Sequence, residues 1–146
     1  MKRSLLLMVQ LTRIEATHLR ARCALALARA RPARQKALCR EVEADAHRIL
    51  GERMPWSSPL ALLLRAGIAA TLGRPESAMS LLAEANGGLL AADMALYAAT
   101  AEWQRGRILG GDEGRRLVEG AEAWMGEQGI VSCARMAAML APGFEG

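Results

Sequence analysis

Apolar residues recur along this chain at steps of three and four, the period of one helix face, and no stretch resembles the alternating β-branched runs of a half-buried strand. From Ser4 to Ala30 the positions Leu7, Leu11, Ile14, His18, Ala21, Leu25 and Ala28 form one stripe, which predicts a long first helix. Pro32 ends it and can open the next, where Leu38, Val42, Ala46 and Ile49 keep the period to about Arg53. Residues 1–53 therefore read as a long antiparallel hairpin. Ser58 and Pro59 are a start signal, the hydroxyl able to cap orphan amides and the ring pre-setting the first turn. That third helix runs to about Leu72 and closes at Gly73. Pro75 and Glu76 open a fourth, which Asn86-Gly87-Gly88 is expected to stop. A fifth helix is predicted over Leu89–Leu109, with Leu90, Met94, Tyr97, Ala98, Ala101 and Ile108 on one side. Gly110-Gly111 breaks it, Asp112 caps a sixth carrying Leu117, Val118, Ala121, Trp124 and Met125, and a short seventh lies between Gly129 and Pro142.

The predicted fold class is all-α: one domain over residues 1–146, made of about seven helices in stacked antiparallel hairpins. Residues 59–127 supply two helix pairs and 130–141 a capping helix. An internal repeat appears when helices three and four are laid over five and six. Leu62, Ala66 and Ala69 match Met94, Ala98 and Ala101 at an offset of 32, and Ala78, Leu82 and Ala85 match Gly114, Val118 and Ala121 at an offset of 36.

Small Ala66 and Ala69, Gly73 at the turn, then Ala78, Leu82 and Ala85 resemble the tetratricopeptide motif. There, small residues at the crossing points let two helices approach and larger apolar ones fill the remainder. A second resemblance spans about Ala24 to Phe144. RMPWSSPLALLLRAGIAATLG, GGDEGRRLVEGAEAWM and RMAAMLAPGF are similar to the C-terminal, tetratricopeptide-like tail of large bacterial serine/threonine protein kinases fused to AAA-type ATPase modules. This resemblance implies a signalling context in which the tail contacts other proteins and the fused modules do the chemistry. Ser132-Cys133 stands where that family would carry Asn-Pro, yet Ser132 can still cap the last helix.

Composition agrees with helix on helix: 52% of residues are apolar but only 3% aromatic, so Ala, Leu and Met must build the core. Charge is unevenly spread. Residues 1–57 hold twelve basic and five acidic side chains, and residues 58–146 hold seven and ten. Cys23, Cys39 and Cys133 are odd in number and lie within apolar helical patterns, which predicts buried reduced thiols in a cytoplasmic protein. The opening MKRSLLLMVQL imitates a secretory signal, but Arg13 and Glu15 cut its apolar run short and no cleavage site follows. No other stretch approaches the roughly 20 apolar residues of a membrane span.

Catalytic elements are not expected. Asp112-Glu113-Gly114 reads as a helix cap, and Gly106, Gly110, Gly111 and Gly114 lack the strand and the Gly-Lys-Ser/Thr ending of a phosphate loop. Glu43 and His47 share a helix face but have too few companions to hold a metal, so neither metal nor cofactor is expected. His18, on the apolar stripe, reads as a hydrogen-bonded core residue. The basic cluster Arg20, Arg22, Arg29, Arg31, Arg34, Lys36 and Arg40 could bind phosphates, but acidic residues follow at once and aromatic interleaving is missing. A solvated or acidic-protein-facing surface is favoured over nucleic acid.

The expected function is non-catalytic protein recognition or scaffolding. Self-association and a nucleic-acid adaptor are the alternatives, and no membrane association is expected. Carrying the tetratricopeptide register along the chain places Leu63, Ala70 and Thr71 in a partner groove, joined at the offset of 32 by Ala95, Ala99, Glu102 and Trp103. Trp103 is either an exposed anchor there or a core residue packed against the seventh helix or the first hairpin.

Overall fold

The computed structural model describes residues 2–145. Helices form wherever the apolar period runs: α1 (Lys2–Ala30), α2 (Gln35–Gly51) after a single 3-10 turn at Pro32–Arg34, α3 (Ser57–Thr71), α4 (Pro75–Ala91), α5 (Ala95–Leu109), α6 (Gly111–Glu127) and α7 (Cys133–Leu140). No strand occurs among the described residues. Each helix from α1 to α5 packs on the next, and α1 also packs on α3 and α5 on α7. Successive hairpins therefore stack, with the odd-numbered helices sharing one side.

The first hairpin buries the expected stripe from Ile14 to Ala28 against Leu38, Val42, Ala46 and Ile49. Leu7 and Leu11 depart from it. α2 ends opposite Gln10 and Arg13, whose side chains bond to Glu52, so the first turns of α1 run past its cover. Leu5, Leu6, Leu7, Met8, Val9 and Leu11 are left 41–67% exposed.

The largest correction concerns α4. Asn86-Gly87-Gly88 does not stop the helix, which continues to Ala91. A glycine in a helix interior costs only about 1 kcal/mol relative to alanine, and here Gly88 lies against Pro59 at the start of α3, where even a Cβ would approach the ring to 3.1 Å. The next residue, Leu89, is fully buried with Leu82 and Ala85. The break falls instead at Ala92–Met94. Asp93 takes the left-handed conformation (φ 57°), and the Met94 and Asp93 amides donate to the Leu89 and Leu90 carbonyls. This is the same closing motif that Gly73 makes after α3, where Arg74 donates to Ala69 and Gly73 to Ala70.

Cap assignments differ in detail. No side chain caps α3, which Trp56 precedes; Ser58 makes no cap, and the Ser57 hydroxyl instead accepts from the Met54 amide in the loop before the helix. Gly110, not Asp112, precedes α6; Asp112 lies inside the first turn and pairs with Arg115. Ser132 does cap α7, accepting from the Arg135 amide. At the α5–α6 crossing Gly106 and Gly114 meet backbone to backbone, and a Cβ on Gly106 would stand 2.6 Å from the Gly114 carbonyl oxygen.

Candidate interaction groove

After α7 the chain turns back and lies in the groove formed by α1, α3 and α5, where Ala141, Pro142 and Gly143 are all buried. Side chains from three helices hold the end of α7 and the segment after it by their main chain. Arg22 of α1 donates to the Met139 carbonyl (2.9 Å), and Gln104 of α5 donates through Nε2 to Ala141 (3.0 Å). Arg29 of α1 (3.2 Å) and Thr71 of α3 (3.1 Å) both donate to Gly143. Gly143 has φ 103°, and a Cβ there would lie 2.6 Å from the Gly67 carbonyl oxygen, so backbone passes directly over backbone.

The segment does not fill the groove. A cavity of about 450 Å³ is bordered by Ala70, Gln104, Arg107, Ile108 and Phe144, and a second of about 240 Å³ by Ala26, Arg29, Ala138 and Phe144. Gln104 borders both, is only 3% exposed, and leaves its Oε1 without a hydrogen-bond partner among the described residues. The adjoining main chain cannot supply one. The Ala141 amide donates to the Ala137 carbonyl in closing α7, and Pro142 has no N–H.

Of the expected partner-contact residues, Ala70 and Thr71 stand at this groove, and Trp103 borders its smaller cavity. Leu63 and Trp103 are core residues, 2% and 5% exposed. Trp103 packs with Ala121, Met125 and Ala137, its indole N–H donates to Glu122 (3.0 Å), and the Arg107 guanidinium stands 5.1 Å from the ring. Ala95, Ala99 and Glu102 border a shallow cleft of about 370 Å³ on the other side of α5, beside Leu90, Arg116 and Trp124. Glu102 also pairs with Arg105 on its own helix.

For the α5 residues the cause is the repeat offset. Buried residues of α5, namely Ala98, Thr100, Ala101, Trp103, Gln104 and Gly106, stand 37 positions after buried Ala61, Leu63, Leu64, Ala66, Gly67 and Ala69 of α3. An offset of 32 is five residues short, and at about 100° per residue that turns α5 by roughly 140°. The offset of 36 between α4 and α6 holds, with Ala78, Ala85 and Leu89 buried opposite Gly114, Ala121 and Met125. At an offset of 37, Ala70 and Thr71 lead to Arg107 and Ile108, which do border the groove. Gln104 and the segment 141–145 have no sequence signal beyond a polar residue on a buried face and a Pro-Gly pair after the last helix.

The basic cluster separates into three roles. Arg20 pairs with buried Asp45 on α2, which also binds Arg48 at 3.0 Å, and the hydrogen bond to Asp45 raises the Arg20 pKa further. Arg22 and Arg29 are committed to the groove. Arg31, Arg34, Lys36 and Arg40 stay exposed around the α1–α2 turn.

The remaining titratable candidates are structural. His18 is buried beneath Tyr97, their ring centroids 5.8 Å apart; burial, then nearby Arg22, lowers its pKa to about 4. Its Nε2 has no partner among the described residues, so it is a core histidine but not the hydrogen-bonded one expected. Glu43 pairs with Arg65 on α3 rather than with His47. Cys39 is buried, which raises its pKa, but Cys23 is exposed, against expectation, because it faces away from the α1 stripe. No helix of the described residues is long and apolar enough to cross a membrane. Comparison with protein-family models, with curated proteins and with solved structures finds no match to this chain.

Proposed function

We propose that this chain is a non-catalytic protein-recognition module that engages its partner through the groove between α3 and α5. One observation carries this reading: Arg29, Thr71 and Gln104, drawn from three helices, converge on main-chain carbonyls of the segment after α7, and Arg22 holds the end of that helix. Main-chain contacts of this kind hold a peptide irrespective of its side chains, and the flanking cavities then provide selectivity. The resemblance to the helical tail of kinase–ATPase fusions supports a cytoplasmic signalling setting, with this chain as the partner-binding part. The test is affinity capture with Arg107→Glu, at the groove, set against Arg40→Glu, on the exposed α1–α2 turn. The groove variant should lose the partner and the other should retain it; equal recovery on both refutes the reading.

The uncovered apolar start of α1 favours a second reading, self-association. Leu6→Glu should then shift a sedimentation boundary toward the monomer. A boundary that stays put disposes of it.

A further inference from the structure

We infer that the segment Ala141–Glu145 is a displaceable, built-in occupant of the groove, and that a partner's extended peptide takes its place. The inference rests on the partner-groove reading and adds to it a competitor and a recognition rule. Three side-chain donors, Gln104, Arg29 and Thr71, satisfy the carbonyls of residues 141 and 143, as they would for an incoming peptide. The fit is nonetheless incomplete: among the described residues, buried Gln104 Oε1, beside the segment, and Arg22 Nε, beside the end of α7, have no partner.

A carboxamide can pair with both the N–H and the C=O of a single extended residue, donating through Nε2 and accepting through Oε1. Within this chain that pairing is blocked: the Ala141 N–H closes α7 and the next residue is proline. A segment arriving from another molecule is not tied to a helix end, so its N–H at that position is free to meet Gln104. The built-in segment thus leaves a buried acceptor unmet that a partner satisfies, and this difference is what lets it be displaced.

The preferred occupant follows from the residues now in place. It is an extended peptide with a small residue at the position of Ala141, which is 2% exposed. A glycine two residues later passes Gly67, and an aromatic side chain follows where Phe144 packs against the α3–α4–α5 core. An acidic residue comes next, since Arg29 and Arg107 border the cavities that Glu145 lines.

The probe is a labelled peptide with the sequence of residues 138–145, AMLAPGFE, titrated into the full chain and into Gly143→Ala. In the parent the tethered segment is present at an effective concentration near the millimolar range and excludes the probe. Gly143→Ala cannot seat its own segment, because a Cβ would meet the Gly67 oxygen at 2.6 Å, while the probe keeps its glycine. The variant should bind the probe at least about tenfold more tightly than the parent, and adding Gln104→Ala should remove that gain. Equal binding to parent and variant, or binding to neither, overturns the inference. Hydrogen exchange on the parent is a second measurement that needs no variant. The Gly143–Glu145 amides should exchange far faster than those of α3, whereas protection equal to α3 makes the segment an inseparable part of the core and overturns the inference. Probe binding that fails while partner capture still depends on Arg107 refutes displacement and leaves the groove reading standing; loss of both refutes both.

Discussion

Replacing Trp103 with alanine separates the two roles that a large aromatic on α5 could have. The side chain is 5% exposed and ties α5 to both α6 and α7 through Ala121, Met125 and Ala137. A buried tryptophan withdraws about 150–250 Å² from water, which at roughly 25 cal/mol per Å² sets an upper bound near 4–6 kcal/mol. Measured truncations of this type cost about 3–5 kcal/mol. The polar contacts add little. Glu122 is exposed and rehydrates when the indole N–H is gone, and Arg107, also exposed, loses a cation–π contact of about 0.5–1 kcal/mol. The expected loss is therefore about 3–5 kcal/mol, a large part of the roughly 5–15 kcal/mol available to a domain. Urea unfolding followed by circular dichroism should show a lower midpoint at an unchanged slope. Trp103→Phe, which keeps most of the burial, should lose less than half as much. A loss below about 1 kcal/mol for the alanine variant would refute the core role and return Trp103 to the surface.

His18 makes a pH prediction. It is neutral when folded and takes up a proton more readily when unfolded, so the stability that depends on its neutrality is complete above pH 6.5, is lost as pH falls from 6.5 toward about 4, and falls no further below that. The gap corresponds to roughly 3 kcal/mol. Thermal melts of the parent and His18→Gln should converge on acidification, and a constant difference between them across that window would contradict the assignment. Gly106→Ala should destabilise by about 1–3 kcal/mol through overpacking, because its Cβ would meet the Gly114 backbone, which has no rotamer to yield; an unchanged melting temperature would count against the close crossing. Asp93→Gly should stabilise by under about 1 kcal/mol, since left-handed geometry costs a non-glycine residue roughly 1–2 kcal/mol and glycine's added chain entropy offsets part of the gain. A lower melting temperature for that variant would place the α4–α5 turn elsewhere.

Much of the helical content was legible in the sequence because it is set locally. Stripes of three and four, Pro32, Gly73, Gly110 and Ser132 each act within a turn or two, and the helices they bound form as expected, α1–α3, α6 and α7 to within about three residues. The α4–α5 boundary was not legible, because two local signals misled. Glycines that usually end a helix were held inside α4 by the contact of Gly88 with Pro59 and the burial of Leu89, and the true break falls on an aspartate in glycine geometry. The offset of 32, read from small residues matched across that boundary, places Ala95, Ala99 and Glu102 on the cleft beside Trp124, whereas the burial of α5 follows α3 at 37.

The sequence by itself determined that this chain is helical, which faces of its first four helices are apolar, and that α4 and α6 repeat at 36. Only the tertiary structure decided the rest. The rotation of α5, the burial of Trp103, the exposure of Leu5–Leu11 past the end of α2 and the return of residues 141–145 across α1, α3 and α5 all depend on contacts between residues far apart in the chain. Local periodicity carries no information about such contacts: a helix pattern fixes which residues share a face, but the neighbour that face meets is set by where every preceding turn has placed the chain.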